Sequence, residues 1–282
     1  MDTGLYFSRT LRRIEAEHTD APLMQRAGAA AAEWAAQLCD ERCPNILVLA
    51  GPGNNGGDAL EAAALLRQKS FLVTVVLCAL PASLPPDAQD ACQRFFASGG
   101  ETVTHIPQDQ RWGLIIDGLF GIGLSRAPGE TYATLIAAVN RKNCPILALD
   151  CPSGLNADTG QAFSPCIEAS HTLTFLGMKP GLLTADGPDH CGEIRLATLD
   201  VEPGETHPPD GSQLSLSDFA QHLVPRARNT HKGSFGSVGI LGGNKSMLGA
   251  ALLAGRAALK LGAGRVYLGL LDPDAPAVDI LQ

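Results

Sequence analysis

The chain has no excess of basic residues, no apolar run long enough to cross a bilayer, and no Cys-x-x-Cys pair. Lysine and arginine number 21 against 29 aspartates and glutamates, for a formal net charge of −8. That leaves no basic footprint for nucleic acid or for an anionic membrane. It does not exclude an anionic ligand, because the backbone N–H groups at a helix N-terminus can hold a phosphate locally. No window approaches 18 uninterrupted apolar residues, and residues 1–18 carry charges throughout with no apolar h-region, so neither a transmembrane span nor a secretory signal is expected. The eight cysteines lack zinc-type spacing and read as free, buried or half-buried thiols in a reducing, cytoplasmic compartment. The histidines form no evident triad with a serine. The run Gly242–Ser246 is not a phosphate-binding P-loop, because Lys245 does not directly follow Gly243.

What is present is an alternation of short apolar runs with longer helical patterns. Leu23, Ala27, Ala31, Trp34 and Leu38 recur at helical spacing, which predicts a helix over 22–40. Further helices are expected over 58–68, 86–97, around 132–141 and over 248–261. Strands are expected over 45–50, 72–78, 114–117, 145–150, 171–176, 193–199, 236–241 and 265–271. Continuous apolar strands between helices imply an α/β fold with a mostly parallel sheet covered on both faces. Apolar residues make up 45% of the chain, enough for a sizeable core. Residues 202–217 hold several prolines and glycines with little periodicity and read as linker. Beyond them stands a single βαβ unit, which reads as the opening of a second domain. The expected organisation is a first domain over 1–201, a linker over 202–230 and a partial second domain over 231–282.

Sheets of this kind bind ligands beyond the carboxyl ends of their strands, and three loops there carry polar groups. Gly51-Pro52-Gly53-Asn54-Asn55-Gly56-Gly57-Asp58 follows the first strand of that kind and formally matches the G-x-G-x-x-G dinucleotide fingerprint. The next strand ends Leu77-Cys78-Ala79-Leu80, without the carboxylate that a hydride-transferring enzyme uses to bind ribose. A second loop, Asp117-Gly118-Leu119-Phe120-Gly121-Ile122-Gly123-Leu124-Ser125-Arg126, exposes glycine backbone, and its arginine can pair with a phosphate. A third runs Asp150-Cys151-Pro152-Ser153-Gly154. Each aspartate alone is a good turn cap; three strand ends with the same chemistry favour a site. The Asn55 amide, Asp117 carboxylate and Ser153 hydroxyl could converge on a hard cation.

Taken together these loops resemble the NAD(P)H-hydrate epimerase family, the YjeF N-terminal domain type. The likeness rests on GPGNNGGD at 51–58, DGLFGIGLSRAPG at 117–129 and DCPSGLNADTG at 150–160, with LMQRAG at 23–28 and KPGLLTADGPDHCGEI at 179–194. The tail is similar to the start of the ADP/ATP-dependent NAD(P)H-hydrate dehydratase family, through HKGSFGSVGILGG at 231–243 and GAALLAGRAALKLGAG at 249–264. The resemblance implies a Rossmann-like domain followed by part of a ribokinase-like one. It implies substrate contacts from Asn54, Asn55, Gly56, Gly57 and Asp58. A second binding loop is implied over Gly121, Ile122, Gly123, Leu124, Ser125, Arg126 and Ala127. Asp150 becomes the binding and acid/base carboxylate, and Asn55, Asp117 and Ser153 the potassium ligands. ADP or ATP with Mg²⁺ would serve a complete second domain. The expected partner is a small molecule, with self-association the one protein partnership left open. Two positions depart from the family pattern, Ala59 where glycine is usual and Ala127 where a proline is displaced; neither removes a polar group. Two other readings compete: a nucleotide-dependent oxidoreductase, and a non-catalytic binding or scaffold module.

Overall fold

The short apolar runs become neighbouring strands of one sheet in the computed structural model, which describes residues 4–40, 42–202, 207–272 and 274. The chain divides into two compact units, Met1–Gln213 and Leu214–Gln282.

In the first unit the order is β1 (Gly4–Leu5), α1 (Ser8–Glu17), α2 (Leu23–Leu38), β2 (Asn45–Ala50), α3 (Asn54–Gln68), β3 (Leu72–Leu77), α4 (Pro86–Ala97), β4 (Thr102–Val103), β5 (Leu114–Gly118), α5 (Glu130–Asn140), β6 (Ile146–Leu149), β7 (His171–Phe175), α6 (Gly187–Cys191), β8 (Glu193–Ala197) and β9 (Gly211–Ser212). Seven strands form one sheet in the order β4-β3-β2-β5-β6-β7-β8, with every neighbouring pair parallel. The period of two along β2 explains the layering. Ile46, Val48 and Ala50 face a core built with Ala31 and Trp34 of α2, Leu60 and Ala63 of α3, and Phe95 of α4. Leu47 and Leu49 face the opposite core, with Ile136 and Val139 of α5. Both faces are covered, so the central strands are apolar throughout rather than alternating. Each fully buried leucine or isoleucine contributes about 1.5–3 kcal/mol.

Three differences from the sequence reading matter for the site. Helix α3 begins at Asn54, four residues before its expected start. Glycine and asparagine are poor helix formers, but here packing overrides propensity. A Cβ on Gly56 would lie 2.0 Å from Gly51 O, and one on Gly57 2.5 Å from Met24 Cε, so only glycine lets the first turn sit against those neighbours. Helix α1 has no counterpart among the expected elements. It buries only Ser8, Leu11 and Ile14 and is held by distant side chains. Asp158 Oδ1 accepts from Ser8 N (2.6 Å) and Ser8 Oγ (2.8 Å). Asp210 Oδ2 accepts from Phe7 N (3.0 Å) and Thr10 Oγ1 (2.8 Å). Asp210 stands in the stretch expected to be linker, and the adjoining β9 pairs antiparallel with β1; residues 211–212 thus belong to the first unit.

In the second unit, α7 (Leu216–Phe219), β10 (Ser237–Gly242), α8 (Leu248–Lys260) and β11 (Arg265–Leu270) follow in order. β10 and β11 pair in parallel, as a βαβ unit requires. Arg226 donates to the carbonyls of Gly262 (2.8 Å) and Leu261 (3.2 Å) just past α8, where a cation complements the helix end. Leu241, Leu253 and Leu261 are exposed. Among the described residues no helix is long and apolar enough to cross a membrane.

Candidate active site

Strand order reverses between β2 and β5: the chain moves from β2 outward through β3 to β4, then returns to β5 on the other side. A crevice opens at the carboxyl ends of strands flanking such a switch point. Here it is a cleft of about 1020 Å³. Its floor is made by the β2–α3 turn (Pro52, Gly53), the start of α3 (Asn54, Asn55, Asp58), the loop after β5 (Leu119–Leu124) and Asp150 after β6; α1 and the start of α2 form a wall. The first N–H groups of α3 have no partner within the helix, so its positive end points toward this cleft.

Asp150 is the most constrained group in it. Its backbone φ is +64°, a left-handed conformation in which a non-glycine residue is held only by its surroundings. Its N–H donates to Leu173 O at 2.7 Å. Its Oδ2 accepts from Ile122 N at 3.0 Å, and its Oδ1 meets Lys179 Nζ at 2.5 Å. A Cβ on Gly121 would approach Asp150 Oδ2 to 2.6 Å, so glycine there lets the loop close on the carboxylate. Lys179, only 1% exposed, also donates to Thr174 Oγ1 (2.7 Å) and Phe175 O (2.8 Å). All three of its protons are placed, as a buried ammonium requires.

Behind Asp150 lies a second polar knot. Asp117 is fully buried and accepts from Ser153 N (2.8 Å), Ser153 Oγ (2.7 Å) and Leu119 N (3.2 Å). Burial pushes its carboxyl up to about 6, against the lowering effect of those donors. Ser153 Oγ also accepts from Phe120 N at 2.9 Å, which leaves its second lone pair free. Asn55 donates from Nδ2 to Leu149 O at 3.1 Å, while its Oδ1 is buried with no hydrogen-bond partner. A buried amide oxygen in that condition is costly unless something positive meets it.

Asp58 sits half-buried on α3, in the cleft lining. Burial, followed by the charges of Asp150, Glu15 and Glu61, raises its carboxyl well above the ordinary range, against the lowering effect of Lys179. Glu15 on α1 is raised in the same way, by desolvation and then by Asp150. The cleft thus holds one carboxylate fixed by an ammonium and others displaced toward the protonated form.

Of the residues singled out from the sequence, Asn54, Asn55, Asp58, Gly121–Leu124 and Asp150 line the cleft. Gly56 and Gly57 are buried at helix contacts instead, and Ser125, Arg126 and Ala127 are exposed outside the lining. Asp117 and Ser153 are bonded to each other, beneath the loop that Ile122 ties to Asp150. Sequence reasoning gave Lys179, Glu15 and Arg12 no role. Lys179 stood inside a quoted motif as a lysine in an otherwise apolar run, FLGMKPGLL, which is the one signal that could have marked it.

Residues 20–181 match the family described as YjeF-related protein N-terminus. The chain is 36% identical over 273 residues to the bifunctional NAD(P)H-hydrate repair enzyme Nnr of Escherichia coli (strain K12), covering 93% of this chain and 52% of that protein. It is 37% identical over 255 residues to a bifunctional NAD(P)H-hydrate repair enzyme of Leishmania major, covering 86% of this chain and 45% of the relative. It thus spans about half the length of these bifunctional relatives. With the NAD(P)H-hydrate epimerase of Achromobacter xylosoxidans (strain A8) it shares 47% identity over 180 residues, 64% of this chain and 86% of the relative. Among solved structures, the yeast protein ynu0 superposes with a TM-score of 0.57 at 18% identity, over 68% of this chain and 86% of that one, which is a likeness of fold.

Proposed function

The chain belongs to the YjeF-related N-terminal family, and we propose that it interconverts the R and S forms of hydrated NADH and NADPH. The observation that carries this reading is the Asp150 carboxylate, fixed between Lys179 and the Ile122 N–H at the floor of the cleft. In the hydrated ring one carbon carries both a hydroxyl and the ring nitrogen. Asp150 takes the hydroxyl proton; the carbon–oxygen bond becomes a carbonyl as the carbon–nitrogen bond breaks. The electron pair goes to nitrogen, which receives a proton from Asp58, the carboxyl displaced toward its protonated form. Rotation about the chain and reclosure on the other carbonyl face returns both protons and gives the opposite epimer. A carboxylate paired with an ammonium and a second carboxyl displaced toward its protonated form suit such paired transfer. No electron leaves or enters the substrate, so an oxidoreductase reading has no support in this chemistry. A scaffold reading leaves a carboxylate held at the floor of the cleft without a task.

Potassium fits the knot beside Asp150. The unpartnered Asn55 Oδ1, the free lone pair of Ser153 Oγ and the Asp117 carboxylate are all oxygen donors, as a hard cation requires. When bound, potassium would supply positive charge beneath the substrate loop. Asn55, Asp117 and Ser153 would hold it. The ADP or ATP with Mg²⁺ expected of a complete second domain is a different matter. No group of three or more His, Cys, Asp or Glu among the described residues is placed to hold a metal. A cytoplasmic location accords with the eight cysteines, all free. Chiral separation of the hydrates after incubation with the protein tests the activity: enrichment of one epimer must decay faster with protein than without.

A further inference from the structure

The cleft is acidic, yet the proposed substrate carries a diphosphate. Glu15, Asp20, Asp58, Asp87 and Asp150 all line it; among the described residues Arg12 is the one arginine or lysine that does. Resting on the functional reading above, we propose that Arg12 is the diphosphate anchor of this cleft, working opposite the backbone of Gly123. The argument is electrostatic and then geometric. A lining of carboxyl groups, some ionised and some displaced toward the neutral form, offers a diphosphate no attraction, so the diphosphate must seat where positive charge is found. Arg126, which the sequence offers for that role, is exposed outside the lining.

Arg12 lies in the middle of α1, and its guanidinium reaches the glycine loop: a Cβ on Gly123 would stand 3.8 Å from Arg12 Nη2. The guanidinium and that backbone are therefore close neighbours on the cleft wall. The loop's donors are partly committed, Ile122 N–H to Asp150 Oδ2 (3.0 Å) and Leu124 N–H to Gly121 O (3.3 Å). The Gly123 N–H, beside the guanidinium, has no acceptor among the described residues. Arg12 makes no hydrogen bond or salt bridge with another described residue, and its charge reaches Glu15 through space, lowering that carboxyl; its fork suits bidentate contact with phosphate oxygens. The two carboxylate caps at the start of α1, Asp158 and Asp210, then acquire a purpose beyond stability. They hold a short polar helix in register so that its arginine faces the loop.

The test separates this assignment from the activity itself, because it needs no turnover. ADP-ribose, which carries the diphosphate without the nicotinamide ring, is titrated calorimetrically into wild-type protein, Arg12→Ala and Arg12→Lys; adenosine is the phosphate-free control. Loss of a charge-assisted contact predicts that Arg12→Ala weakens ADP-ribose roughly 10- to 100-fold, that Arg12→Lys recovers part of it, and that adenosine binding is unchanged. The assignment is overturned if the wild-type protein does not bind ADP-ribose, if Arg12→Ala binds it within twofold of wild type, or if adenosine is weakened equally. An ADP-ribose result of the expected kind alongside absent epimerisation would leave the anchor standing and remove the reaction.

Discussion

Replacing Lys179 by methionine removes a charge that is 1% exposed and bonded to three acceptors. The stem is nearly isosteric, so the cavity left is small and the effect is electrostatic. Asp150 keeps one partner, the Ile122 N–H, and is left as an unpaired charge in a mostly buried position. Breaking a buried pair from one side costs about 3–5 kcal/mol. For a unit the size of Met1–Gln213, each kcal/mol shifts the melting midpoint by about 2–4 °C, so Lys179→Met should melt about 6–20 °C below wild type. Asp150→Asn strands the charge on the other side: the amide oxygen can still accept from Lys179, but the buried ammonium loses its counter-charge and the –NH₂ group turns toward the Ile122 N–H, so its cost also falls at about 3–5 kcal/mol. In the double variant no unpaired charge remains. It should therefore be more stable than the sum of the singles implies, by at least about 1 kcal/mol. Thermal and urea unfolding of the four proteins gives the coupling. Additivity of the two substitutions would refute the claim that Lys179 exists to hold the Asp150 carboxylate.

Four further expectations follow from the same geometry. Potassium should stabilise wild-type protein by about 2.7 kcal/mol at a hundredfold excess over Kd, raising its melting midpoint, and Asn55→Ala should abolish the rise in differential scanning fluorimetry. Asp58→Asn should lose activity yet melt higher than wild type at neutral pH. A carboxyl raised in the folded state favours folding below its unfolded value and costs stability as pH climbs through the folded one, so the gap between the two proteins should close in acid. Gly56→Ala drives a methyl against Gly51 O and should cost about 1–3 kcal/mol in urea unfolding, with activity lost alongside. Asp158→Ala removes the acceptor of two bonds at the start of α1; a cost of about 0.5–2 kcal/mol should accompany a raised KM with kcat less affected, in steady-state assays on the hydrate.

The sheet was legible because its central strands are largely buried: NILVLA, short, β-branched and bounded by Pro44 and Gly51, reads as a covered strand, and LVTVVL, more exposed at Leu72, reads the same way. The two carboxylates at the ends of β5 and β6 were legible for the same reason, since a strand end fixes where its next residue points. Helix α1 was not. Its two apolar anchors, Leu11 and Ile14, make too thin a stripe to show periodicity, and its caps come from residues 150 and 200 positions away. With α1 hidden, Arg12 and Glu15 could not be placed in the cleft. The start of α3 was hidden by composition, because Asn-Asn-Gly-Gly reads as loop until the close packing of Gly56 and Gly57 is seen. Lys179 escaped because pairing across 29 residues leaves no local pattern; only its place in an apolar run hinted at burial.

The central claim is that Asp150 moves the proton in an epimerisation, and one measurement addresses it directly. Purified R hydrate of NADH is mixed with wild-type protein or with folded Asp150→Asn, and the R and S forms are separated and followed over time. The account expects wild-type protein to bring the mixture to equilibrium well ahead of the spontaneous rate, and Asp150→Asn to be slower by roughly 10²–10⁴-fold. Wild-type protein no faster than buffer, or an Asp150→Asn variant that equilibrates the epimers as fast as wild type, would contradict it.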